Sequence, residues 1–222
     1  MRTRWSSHAL SNETATRVNG SDERCSNRVS VSTECTYAEG QFAVVERPPR
    51  PEGGYGEEPV GTYPAGAFVI AGGTALLLEH VTEYELVDGR ELALTALRST
   101  GLISRSANPW REDPAGPQLP IPAAQMRGPQ RFAFAWSQDP GSALEHAERY
   151  RLPFLTARGT GEAAALAEHA GPELRGATLS ALRRRGGALE ARLVNQTDAP
   201  TTATFGETTV ELRPWEIRAV PL

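Results

Sequence analysis

AFVIAGGTALLLEHVTEYELVDGRELALTAL, residues 67–97, carries the reading of the fold. Its first half sets two apolar runs on either side of Gly72 and Gly73, residues that a two-residue turn prefers because both can adopt positive φ. Its second half repeats the device. Asp88-Gly89 separates a run with Tyr84 and Leu86 on one face from another with Leu92, Leu94 and Ala96 on one face. Two hairpins in succession predict antiparallel sheet. Upstream, QFAVVE (41–46) has the β-branched content of a strand; downstream, RFAFAW (131–136) alternates through Phe132, Phe134 and Trp136. Nearer the end, ATLSALRRRGGALEARLVNQT (177–197) folds across Gly186-Gly187. ATFGETTVELRPWEIRAVPL (203–222) adds two strands, the last expected to turn Trp215, Ile217 and Ala219 inward. About nine short strands predict a mainly β chain, a large antiparallel β-sandwich. One short helix is expected. Ser142 and Glu145 form a capping box, and ALEHAERY (143–150) brings Ala143, Leu144, Ala147 and Tyr150 near one face until Pro153 stops it.

Composition agrees and excludes several functions. The 21 Gly and 17 Pro among 222 residues suit many turns better than long helices. All 23 basic residues are Arg, which removes Schiff-base lysines and the lysine of a phosphate-cradling P-loop. A net charge of -4 argues against a nucleic-acid partner, whose affinity rests on a surplus of basic groups. No segment approaches the roughly 18 apolar residues of a membrane span, and the start lacks the apolar run of a signal peptide. A chain confined to the cytoplasm, with no membrane partner, is the expectation.

Residues 1–36 are read as a polar, poorly packed lead-in, since 20 of the 36 are Ser, Thr, Asn or Arg. The β-region is expected over 37–222. Two long loops interrupt it: RPPRPEGGYGEEPVGTYPAG (47–66) and RSTGLISRSANPWREDPAGPQLPIPAAQMRG (98–128). Connections of that length are functional or mobile.

The candidate chemistry sits in these loops. Sugar recognition calls for an aromatic face against the C–H side of a pyranose and for planar polar groups forking onto neighbouring hydroxyls. Tyr55, Tyr63, Asn108, Trp110, Arg111 and Asp113 supply that chemistry. The bland alternative is that Trp110 and Tyr55 anchor their own loops and that Arg111 pairs with Glu112 or Asp113. Glycoside hydrolysis would need two carboxyl groups about 5 to 5.5 Å apart for retention, or further apart for inversion. Glu57, Glu58, Glu112 and Asp113 are available, but loop carboxylates are ordinarily solvated surface. Catalytic residues are therefore expected to be absent.

His8, His80, His146 and His169 are scattered, and no pair has metal-ligand spacing. Glu79 and His80 are expected to point to opposite faces of a strand. Cys25 and Cys35 are expected to be free thiols, with a disulfide as the alternative, and not the basis of a zinc site. Gly53-Gly54-Tyr55-Gly56 lacks the Lys and Ser/Thr of a phosphate loop. Asn12, Asn19 and Asn195 begin N-x-S/T triplets that matter only in a secreted protein.

VVERPPRPEGGYGEEPVGTYPA (44–65), the hairpin region with LRSTGLISR (97–105), and NPWREDPAGPQLPIPAAQMRGPQRFAFAW (108–136) together resemble the C-terminal β-domain of bacterial α-mannosidases of glycoside hydrolase family 38. LSALRRRGGALEARLVNQTDAP (179–200) and VELRPWEIRAVPL (210–222) are similar to the closing hairpin and strand pair of that domain. The resemblance runs from Tyr37 to Leu222 and is weakest between Thr156 and Gly176. It implies a β-sandwich of the carbohydrate-binding, mutarotase-like kind. It also implies a parent enzyme that hydrolyses α-mannosides with retention, through a zinc-bearing barrel and an Asp nucleophile. Nothing before Tyr37 matches the barrel's motifs, so no catalytic, cofactor or metal residue carries over. The resemblance thus implies a non-catalytic fragment of mannose metabolism, from a truncated or split gene. Its partners would be a catalytic barrel and an α-mannoside, contacted by Tyr55, Arg105, Asn108, Trp110, Arg111 and Asp113. The alternative is a stand-alone carbohydrate-binding module.

Overall fold

The computed structural model describes residues 14–17, 23–51, 53–54, 56, 58–106, 111, 113–153, 156, 158 and 171–222. The chain forms two compact units: Met1–Gly40 with Val45–Pro153, and Gln41–Val44 with Phe154–Leu222. Strands pair antiparallel in both units. The expected β-sandwich architecture is what the chain adopts.

In the larger unit one sheet runs β1(Thr14–Arg17)-β2(Glu23–Ser30)-β9(Glu91–Ser99)-β8(Glu83–Val87)-β5(Thr62–Pro64). The other runs β10(Ala133–Ser137)-β7(Thr74–Glu79)-β6(Phe68–Ala71)-β3(Thr36–Gly40)-β4(Ala43–Arg47), with only Val45–Arg47 of β4 in this unit. Strands β1 and β2 lie within the stretch read as a lead-in, and β2 pairs with β9 along its whole length. Val69, Leu76 and Leu78 from one sheet meet Tyr84, Leu86, Leu92 and Leu94 from the other in a single apolar core. Burial of these side chains supplies most of the driving force, about 1.5–3 kcal/mol for each large one.

Strand β7 is buried at four successive positions, Ala75 to Leu78, because both its faces are covered. Its inner face meets the facing sheet, and helix α1 (Ala143–Arg151) packs against the strand, burying Ala143 and Ala147. Small residues let the helix approach closely, and the larger Leu144 and Tyr150 are only half-buried. Ser142 makes no side-chain capping bond, so the expected capping box does not form. A preceding 3-10 turn, Pro140–Ser142, starts the helix instead.

Both predicted hairpins are present. At Gly72-Gly73 only Gly72 takes positive φ (60°), the pattern of a type II′ turn. Asp88 and Gly89 both do (52° and 66°), and the Arg90 N–H donates to the Val87 carbonyl at 3.0 Å. Ala96 does not continue the inward face of Leu92 and Leu94. A bulge there pairs Leu97 with Cys25 and Thr95 with Ser26, leaving Ala96 outside the register.

The smaller unit has two three-stranded sheets, β11(Leu174–Arg175)-β14(Thr201–Phe205)-β15(Thr208–Leu212) and β12(Thr178–Arg185)-β13(Ala188–Val194)-β16(Ile217–Pro221). Ala191, Leu193, Ala203, Phe205, Leu212 and Val220 close its core. The inward face of β16 is the reverse of the expected one. Trp215 sits outside the strand at φ 58°, in a turn closed by the Glu216 N–H to the Arg213 carbonyl at 3.1 Å. That turn resets the alternation, so Val220 faces inward while Trp215, Ile217 and Ala219 are exposed.

The core of the larger unit contains a polar link. Tyr84 is fully buried and its hydroxyl lies 2.7 Å from the Thr36 hydroxyl. Burial raises the phenol's pKa above its ordinary value of 10.0. In the unfolded chain the phenol ionises at its ordinary value, whereas in the fold it resists. The phenol's contribution to stability is thus intact below pH ~10 and falls as pH rises beyond it. Tyr84→Phe is expected to cost about 1 kcal/mol at pH 7, by leaving Thr36 without its partner, and to flatten the alkaline limb of stability. Urea titrations at pH 7 and above pH ~10 check both effects. No helix among the described residues is long and apolar enough to cross a membrane.

Candidate functional site

The second long loop runs from β9 to β10 as residues 100–132, and it is folded rather than loose at its base. Leu102 and Pro120 form an antiparallel bridge, and the Ile103 N–H donates to the Leu119 carbonyl at 3.0 Å. The Ile121 N–H donates to the Gly101 carbonyl at 3.0 Å, and the Thr100 N–H to the Ala124 carbonyl at 3.1 Å. Farther out, Gln118 Nε2 donates to Ser106 Oγ at 2.8 Å. Pro122–Gln125 makes a 3-10 turn that ends on Met126 in the left-handed region. The prolines thus fall where no strand donor is required, and the backbone's own bonds set the neck.

This neck positions the candidates. Arg105 lies on it, half-buried, with its Nε shielded from solvent and without a hydrogen-bond partner in the described structure. Arg111 is half-buried and Asp113 exposed beyond the neck. Asn108, Trp110 and Glu112 lie outside the described residues, as do Tyr55 and Glu57 in the first loop. The bridge sequence also leaves Ile103 and Leu119 side by side and 54% and 55% exposed. Nothing in the alternation of the sequence marked these two, because they belong to no regular strand.

Tyr63 is placed otherwise than a sugar platform requires. It packs on the core, its ring 6.1 Å from that of Tyr84, and the Arg47 guanidinium carbon stands 5.5 Å over its face. A cation thus occupies the face that a pyranose would need. Of the four loop carboxylates, Glu58 and Asp113 are described and both are exposed.

His80 departs from its strand-end expectation. With φ 63° it has left β7, and its Nε2 comes within 3.5 Å of Glu79 Oε1 instead of pointing to the opposite face. The His80 side chain is largely solvated and that of Glu79 partly so, and the contact is a surface one. Helix α1 and β10 bring together a pair the sequence did not signal: Ser137 Oγ lies 2.9 Å from His146 Nδ1. Ser137 also accepts the Asp139 N–H at 3.2 Å, so the hydroxyl ties the turn and the helix to the sheet. His8 and His169 lie outside the described residues. Cys35 is a free, half-buried thiol, and its contact raises the pKa of the Tyr37 phenol. The side chain of Cys25 is outside the description.

Among the described residues no three His, Cys, Asp or Glu side chains gather as a metal would require.

Asn195 is buried and fully bonded. Its Nδ2 donates to the carbonyls of Ala199 and Arg213 at 2.7 and 2.9 Å, and its Oδ1 accepts the Thr197 N–H at 3.0 Å. This side chain is a structural hub and not a surface acceptor for a glycan. Asn12 and Asn19 are outside the described residues.

The comparisons bear on this architecture. An α-mannosidase from Enterococcus faecalis V583 superposes on 90% of the chain at a TM-score of 0.64 and 21% identity. This chain has the fold of a segment of an α-mannosidase. It covers only 26% of that enzyme's chain. A protein of glycosyl hydrolase family 38 from Enterococcus faecalis matches likewise, at a TM-score of 0.61 and 21% identity, with 90% of this chain and 27% of the other covered. No protein-family model matches the chain, and no curated protein does.

Proposed function

We propose that the chain is the non-catalytic, C-terminal β-region of a glycoside hydrolase family 38 α-mannosidase-like protein. In this reading it works in bacterial mannose metabolism, in the cytoplasm, packed against a separate catalytic portion. The observation that carries the proposal is the coverage: 90% of this chain corresponds to about a quarter of an α-mannosidase chain. The neck of the 100–132 loop supports a docking role. It holds Ile103 and Leu119 out to solvent on a backbone fixed by its own hydrogen bonds, with Arg105 beside them. Solvent-facing apolar side chains on a rigid support fit the core of an interface better than a sugar site. Arg105, Arg111 and Asp113, with Tyr55, Asn108 and Trp110, would then close the outer edge of an α-mannoside site. Zinc and the nucleophile would belong to the catalytic portion.

The test mixes the purified chain with the catalytic barrel of a glycoside hydrolase family 38 α-mannosidase, expressed without its own C-terminal β-region, and follows association by sedimentation. Binding is expected, and Ile103→Asp with Leu119→Asp should weaken it at least tenfold while leaving the circular dichroism spectrum unchanged. Those two positions are exposed, so the substitutions leave the core intact. Equal binding by the double variant would remove the loop from the interface. Mannoside affinity of the chain alone, without any partner, would favour a stand-alone carbohydrate-binding module.

A further inference from the structure

We draw no further inference here: the strongest candidate, the strip of half-exposed leucines Leu179, Leu182, Leu189 and Leu222 on the core-side face of the β12-β13-β16 sheet, carries nothing because nothing in the structure shows what covers it.

Discussion

Gly176→Ala is expected to destabilise the smaller unit by on the order of 3 kcal/mol or more. Gly176 follows the two-residue strand β11 with φ 72°, a region that costs an L-residue about 1–2 kcal/mol. The larger difficulty is steric. A Cβ on Gly176 would stand 2.2 Å from the Thr202 carbonyl oxygen and 3.3 Å from Ala203 Cα. Both neighbours are backbone atoms of β14, which is held on its other side by β15, so neither can rotate away. Relief would require β11 to peel from β14, breaking the Leu174 and Arg175 pairing and exposing Phe205 and Leu174 in the core. Hydrogen exchange read over β11 to β16 checks this. Protection should fall by at least a hundredfold in the variant, and unchanged protection would show that the backbone adjusts without penalty.

Asn195→Ala comes second, at about 2–4 kcal/mol. Asn195 is 1% exposed, and its side chain ties two segments together, its own turn through Thr197 and Ala199 and the β15–β16 turn through Arg213. Truncation removes the donor shared by the Ala199 and Arg213 carbonyls and the acceptor of the Thr197 N–H, so the bonds that join the two turns are lost. Asn195→Asp separates hydrogen bonding from size. The new oxygen would face the two carbonyls that Nδ2 now serves, so its ionised form is disfavoured in the fold and its folded pKa is raised. Stability of this variant should therefore be highest in acid and fall as pH rises. Urea titrations of both variants between pH 4 and 8 supply the check. A pH-independent Asn195→Asp would mean that the site is wetter than its burial implies.

The β-architecture was legible because turn chemistry and alternation agreed at the same places. Gly72-Gly73, Asp88-Gly89 and Gly186-Gly187 each lie between the strands they were expected to join. Phase was harder to read. β16 reversed its faces because the Arg213–Glu216 turn put Trp215 at positive φ, and Ala96 fell into a bulge. Both are single-residue events that shift every later side chain, and neither has a composition signature. The division into two units was not legible either, since strands on both sides of it have the same alternation.

The candidate site was legible only as a loop. Sequence chemistry pointed to the planar and charged groups, but it could not tell that Arg47 covers Tyr63, or that a backbone bridge would hold Ile103 and Leu119 outward. Contacts between residues distant in sequence decide these points. The pairing of Ser137 with His146 is of the same kind.

Turnover of an aryl α-mannoside by the purified chain alone, with zinc added, is the most direct test of the central proposal. A non-catalytic β-region predicts no hydrolysis above the buffer rate across the neutral range. Hydrolysis that scales with the concentration of the chain and is lost in a variant of its own carboxylates would contradict it.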